Sequence, residues 1–192
     1  MKHVKPALVC LFPHVGTVES SLLSGLNLLL RQTRTPTKKD VQRNPEALAI
    51  IAAYMRYTAQ FPLMVEELRR ICGQSYAVVA KGEGPNSGIH PYFGTFDYQL
   101  SSEVSLLEDG RTWTDQDFEV DWSSLSGKVS ERHIIVAGFH FDDCVAKFAQ
   151  AAAALGKYAL LCPWVSNYFY ATIATCRSFG TMPPYDIPLL CE

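Results

Sequence analysis

The stretch RHIIVAGFHFDDCVAKFAQAAAALGKYALLC, residues 132–162, carries the strongest structural signal in the chain. It opens on an apolar run that ends at Gly138. A short loop follows, then an alanine-rich segment over 143–156 closed by Gly156, and then a second apolar run, KYALLC. Alanine is the best helix former, and glycine is the usual residue just past a helix end. Continuously apolar runs of this length read as strands buried on both faces, the kind found in parallel sheets covered by helices. Strand, helix, strand and a further helix over 166–179 predict an α/β protein. The expected architecture is a three-layer sandwich with a central, mainly parallel sheet flanked by helices, Rossmann-like in plan.

The rest of the chain fits this plan. Residues 6–12, PALVCLF, predict a first buried strand closed by Pro13, and residues 75–81, SYAVVAK, predict another. Leucines over 21–32 predict a helix, while the polar, proline-containing stretch 33–45 reads as a loop. Asn44 before Pro45 has the form of an N-cap with proline in the first helical position. A helix should follow to Phe61, with a second starting at Pro62 and ending at Gly73. Residues 82–130 show only weak periodicity and predict irregular structure or a short hairpin. The proline-rich tail 180–192 should lie extended. A length of 192 residues fits a single domain, 1–192.

Composition narrows the function. The formal charge is −2 with 19% charged residues, a profile without the basic excess of a nucleic-acid binder. Arg31, Arg34, Lys38, Lys39 and Arg43 cluster, but Asp40 and interleaved threonines dilute them, as in a solvated loop. The apolar stretch 149–165 is interrupted by Gly156, Lys157 and Pro163, short of the roughly 20 residues a membrane-spanning helix needs. The amino-terminal apolar run is too short and proline-broken for a signal peptide. Six cysteines show no CxxC pair and no short Cys/His ligand spacing, so reduced thiols, a cytoplasmic setting and no structural zinc are expected. GEGPNSG, residues 82–88, lacks the spacing of a phosphate-binding loop. No cofactor is expected.

In parallel sheets, ligands bind beyond the carboxyl ends of the strands. Cys144 stands there, where the helix after Gly138 is expected to begin. Free N–H groups at a helix start favour a thiolate and can hold an oxyanion. Cys144 is therefore the best nucleophile candidate of the six. The competing reading is a small residue buried at a strand–helix junction. Asp142 and Asp143 read as caps of the coming helix, and as charges that oppose thiolate formation.

The segment from Ile134 to Leu161 resembles the isochorismatase-like cysteine hydrolases, the superfamily that includes nicotinamidases. Gly138, Cys144, Val145, Ala149, Ala152 and Gly156 fall on its pattern of strand, glycine, Cys-Val and alanine-rich helix. The resemblance implies a triad: an Asp at the end of the first strand as base, a Lys at the end of a middle strand, and the Cys as nucleophile. Lys81 is the implied lysine, although its distance in sequence from Cys144 exceeds the family norm. Tyr92, Phe93, Trp164 and His140 are the implied substrate-contacting residues. The departure lies in the first strand, where Phe12 stands in the place of the Asp. His14 and Glu19 are the nearest substitutes for the missing base. The family's metal site has no counterpart, since His90 and His140 are isolated.

Two functions follow. One is a divergent cysteine hydrolase acting on an amide or enol-ether bond of a small molecule. The other is an inactive member of the same fold serving as a binding or assembly partner, with self-association as its simplest form. An unrelated Rossmann-like or flavodoxin-like binding domain is disfavoured, because no glycine fingerprint follows the first strand. Neither nucleic acid nor membrane is an expected partner.

Overall fold

The computed structural model describes residues 4–17, 26, 29–31, 36–105, 120–139 and 141–167. Its centre is β1, Ala7–Leu11, whose five residues are all buried. Burying the Leu8, Val9 and Leu11 side chains contributes about 1.5–3 kcal/mol each. β1 pairs in parallel with β2, Gln74–Lys81, on one side and with β4, His133–Phe139, on the other. Outside these lie β3, Tyr98–Ser105, and β5, Tyr158–Asn167, giving five described strands in the order β3-β2-β1-β4-β5. Every pairing is parallel.

The two-residue alternation of the strands builds two cores. Val9, Leu11, Val78, Ile134 and Val136 face one side, where they meet Leu125 of α3, Trp122–Gly127, and Phe148 and Ala152 of α4, Ala146–Ala154. Leu8, Cys10, Ile135, Ala137 and Cys162 face the other side, against Val65, Leu68 and Cys72 at the end of α2, Pro45–Ile71. Helices on both faces of a parallel sheet are the expected three layers.

Several elements differ from the sequence expectation. Within 33–45 there is a short helix, α1, Lys38–Gln42, set by a reciprocal capping box between Thr37 and Asp40. Asn44 caps α2 as expected, its side chain accepting from the amides of Glu46 and Ala47. α2 then runs unbroken through Pro62 for 27 residues instead of dividing there. A proline removes one helix hydrogen bond, and the rest of the ladder carries the helix across it. The weakly patterned 82–130 region supplies β3 and α3. β3 alternates polar and apolar residues, as suits a strand at the sheet margin, and so lacks the run of apolar residues that marks β1 and β4. β5 continues past Cys162 to Asn167, with a register irregularity against β4 between Val136 and Gly138. Only scattered positions of the expected 21–32 helix are described. Of the expected 166–179 helix, Ser166 and Asn167 are instead the end of β5, and the remainder, with the 180–192 tail, lies outside the described residues. Among the described residues no helix is long and apolar enough to cross a membrane.

Candidate functional site at the carboxyl ends of β1 and β4

In the order β3-β2-β1-β4-β5 the chain builds outward from β1 in one direction, then returns to β4 and builds outward in the other. In parallel sheets of this order a ligand crevice is expected at that switch, which here lies beyond Leu11 and Gly138. The two ends meet closely. Leu11 pairs with Gly138, whose φ is +111°. A Cβ at Gly138 would lie 2.6 Å from the Leu11 amide nitrogen, and nearer still to its carbonyl oxygen. Only glycine lets β4 turn out of the sheet this close to β1.

From Gly138 the chain passes to a single π-helical turn, Phe141–Val145, that leads directly into α4. The helix thus begins three residues earlier than Cys144. Asp143 does not cap it: the residue flanking α4 is Val145, which has no side-chain cap. Instead the Cys144 Sγ donates to Asp143 Oδ2 across 3.6 Å, and Asp143 Oδ1 lies 2.6 Å from Lys147 Nζ. The Asp143 carboxylate holds the Lys147 ammonium above its usual range, and Cys144 adds to the effect. Cys144 itself is 7% exposed and belongs to the α4-side core. A π turn is common at functional positions. Here it brings a thiol, a carboxylate and an ammonium together within one turn of helix.

The end of β1 has a different chemistry. Phe12 is 1% exposed and meets Trp122 edge-on, ring centroids 6.3 Å apart. It lies in the same buried cluster as Cys144, Val145 and Phe148. Its φ of +49° is in the left-handed region, which a bulky side chain enters at a cost of about 1–2 kcal/mol. Burial of the ring contributes about 1.5–3 kcal/mol and offsets that strain. The Phe12 amide still donates to the Val78 carbonyl, 2.8 Å, carrying the β1–β2 ladder one residue past the strand.

The two substitutes for the missing base fare differently. His14 is buried with both ring nitrogens engaged, Nδ1 at 2.8 Å from the Ser87 carbonyl and Nε2 at 3.0 Å from the Ala80 amide nitrogen. Burial pulls its pKa below the ordinary histidine value. A ring held this way has no nitrogen left to accept a thiol proton. Glu19 lies outside the described residues.

Lys81 ends β2, exposed, its ammonium paired with Glu103 on the neighbouring β3. That pairing holds the Glu103 carboxyl below its usual range. Phe93 is 1% exposed and packs edge-on against Phe139 at 6.0 Å in the α2-side core. It therefore belongs to the face of the sheet opposite the cluster that holds Cys144. His140 lies outside the described residues, as do the side chains of Tyr92 and Trp164. Among the described residues no group of three or more His, Cys, Asp and Glu could hold a metal ion. None of the four described cysteines is in a disulfide.

The structure therefore brings Cys144 together with Asp143 and Lys147, and puts Phe12 in the same buried cluster. The sequence pattern alone suggests a cap for Asp143 and does not single out Lys147. The signal was available: an acid and a base at i and i+4 around a cysteine face one another on a helix.

No protein-family model matches the chain, and no curated protein matches it by sequence. A solved isochorismatase family protein from Desulfovibrio vulgaris subsp. vulgaris str. Hildenborough superposes with a TM-score of 0.51 at 11% identity, over 94% of this chain and 93% of that one. The fold is isochorismatase-like. An isochorismatase from Pseudomonas putida KT2440 is similar over 85% of this chain and 70% of that chain, with a TM-score of 0.48 at 10% identity. At 11% identity the likeness to the Desulfovibrio vulgaris protein is one of fold, and the chemistry of this isochorismatase-like chain rests on its own residues.

Proposed function

We propose that the chain is a catalytically silent isochorismatase-like protein that works as a binding or assembly partner in a reducing, cytoplasmic setting, with self-association its simplest form. The observation that carries this is Phe12, buried against Trp122 at the position where the resemblance calls for a general base. A phenyl ring accepts no proton, and general-base assistance is worth about 10²–10⁴-fold in rate. His14 is fully hydrogen-bonded and Lys81 is paired with Glu103, so neither makes good the loss.

One observation favours a second reading, a cysteine hydrolase with a relocated base. Asp143 accepts the Cys144 S–H, and Lys147 stands against the same carboxylate. In that reaction Sγ attacks the carbonyl carbon of a small amide while its proton passes to Asp143. The C–N bond then breaks, the amine leaves with that proton, and water hydrolyses the thioester.

A panel of small primary amides and enol ethers, followed by product release and by the mass of the Cys144 peptide, tests the proposal. We expect no turnover above a Cys144→Ala variant and no acyl adduct. Turnover abolished by Cys144→Ala would overturn it, and loss in Asp143→Asn as well would establish the second reading.

A further inference from the structure

The segment after β2 lies against the end of β1. The Val15 amide donates to the Gly88 carbonyl, 2.9 Å, and the His90 amide to the Pro13 carbonyl, 2.7 Å, with an antiparallel bridge between His14 and Ile89. His14 is at the centre of this seam, 1% exposed. A carbonyl only accepts and a backbone N–H only donates, so its two contacts fix the proton on Nδ1 and leave Nε2 bare. The ring is neutral, and its hydrogen bonds require it to stay neutral.

We infer that His14 is an acid-operated latch: a proton taken up from solvent at Nε2 turns that acceptor into a donor facing the Ala80 N–H, drives the charged ring out of its buried site, and with it breaks the Nδ1–Ser87 bond that ties residues 84–90 to the carboxyl end of β1. Two donors cannot share one hydrogen bond, and a charged ring at a buried site without an acceptor is strongly disfavoured. The titratable and charged groups on the elements around it are Lys81 at the end of β2, and Glu83 and His90 in the following segment. Lys81 is exposed and paired with Glu103, Glu83 is exposed, and His90 is half-buried. The influences that set the ring's ionisation are burial, which lowers its pKa, and the Ser87 carbonyl, which works the other way.

The sign follows. The unfolded or opened ring titrates near 6.5 and the latched ring below it, so the latch is fully closed above pH 6.5 and weakens as pH falls toward the latched value. Release can stay local, because the ring takes no part in the hydrogen bonds that join β1 to β4. The hinge is also suited to move: Lys81–Gly84 is exposed, and Gly84 has a φ of +99° with open space around it.

Amide hydrogen exchange from pH 7.5 to 4.5, corrected for intrinsic rates, tests this. The Val15, Ala80 and His90 amides should lose protection by up to about tenfold per pH unit below 6.5, the limit for one proton. The Val9 and Val136 amides should hold theirs. His14→Gln, which cannot titrate but offers an acceptor to Ala80, should give a flat profile. A flat wild-type profile, or the same acid loss in His14→Gln, would overturn the latch. Ring ¹⁵N chemical shifts of the wild-type protein provide a check that needs no variant. A proton on Nδ1 at pH 7.5 supports the latch, and a proton on Nε2 overturns it.

Discussion

β1 and β4 run side by side in register from Ala7–Ile134 to Leu11–Gly138, yet their carboxyl ends are built from opposite materials. β4 ends in a glycine at positive φ, a π turn and a thiol in contact with a carboxylate that pairs with an ammonium. β1 ends in a left-handed phenylalanine packed edge-on against tryptophan, then a histidine with both nitrogens spent on backbone groups. The first end gathers ionisable groups on one helical turn, and the second is hydrophobic core. A nucleophile needs both: a place to stand and a group to take its proton. Here the backbone geometry around the thiol coexists with a neighbouring strand whose end serves only packing and latching.

The largest effect should come from making the β1 end resemble a catalytic one. Phe12→Asp removes a buried ring, worth about 3–5 kcal/mol on truncation, and adds a carboxyl group to an apolar cluster. We expect a loss of at least about 4 kcal/mol in urea unfolding, with no hydrolysis gained. A variant as stable as the wild type would mean that the β1 end is not core. Next is Gly138→Ala, which forces a Cβ into the backbone of Leu11 at a positive φ. About 2–4 kcal/mol should be lost by the same measurement. A loss under about 1 kcal/mol would show that the two ends are not in close backbone contact. The smallest effect is at the β4 end. Asp143→Asn breaks a partly exposed i,i+4 ion pair and should change stability by no more than about 0.5 kcal/mol.

The layout of the fold was legible because β1, β2 and β4 are buried on both faces and so read as apolar runs, and because Asn44-Pro45 and Gly156 mark helix ends chemically. β3 and α3 were not, since a marginal strand with alternating polar residues looks like loop. The Pro62 boundary misled because one missing hydrogen bond does not end a helix held by its neighbours. At the site, the positions of Cys144 after β4 and of Phe12 after β1 could be located from residue type and order alone. The Asp143–Lys147 contact could have been inferred from their four-residue spacing, but an aspartate before a helix suggests a cap first. The engagement of His14 depends on a carbonyl 73 residues away, at Ser87, which no local pattern announces.

The central claim, that neither Phe12 nor the hydrogen-bonded His14 at the end of β1 can act as a base for the thiol at the end of β4, is tested most directly by the pH dependence of Cys144 alkylation, localised by mass spectrometry and compared with free cysteine. Cys144, buried and in contact with the Asp143 carboxylate, should react more slowly than free cysteine at every pH. Reaction at least tenfold faster than free cysteine at pH 7 would contradict it.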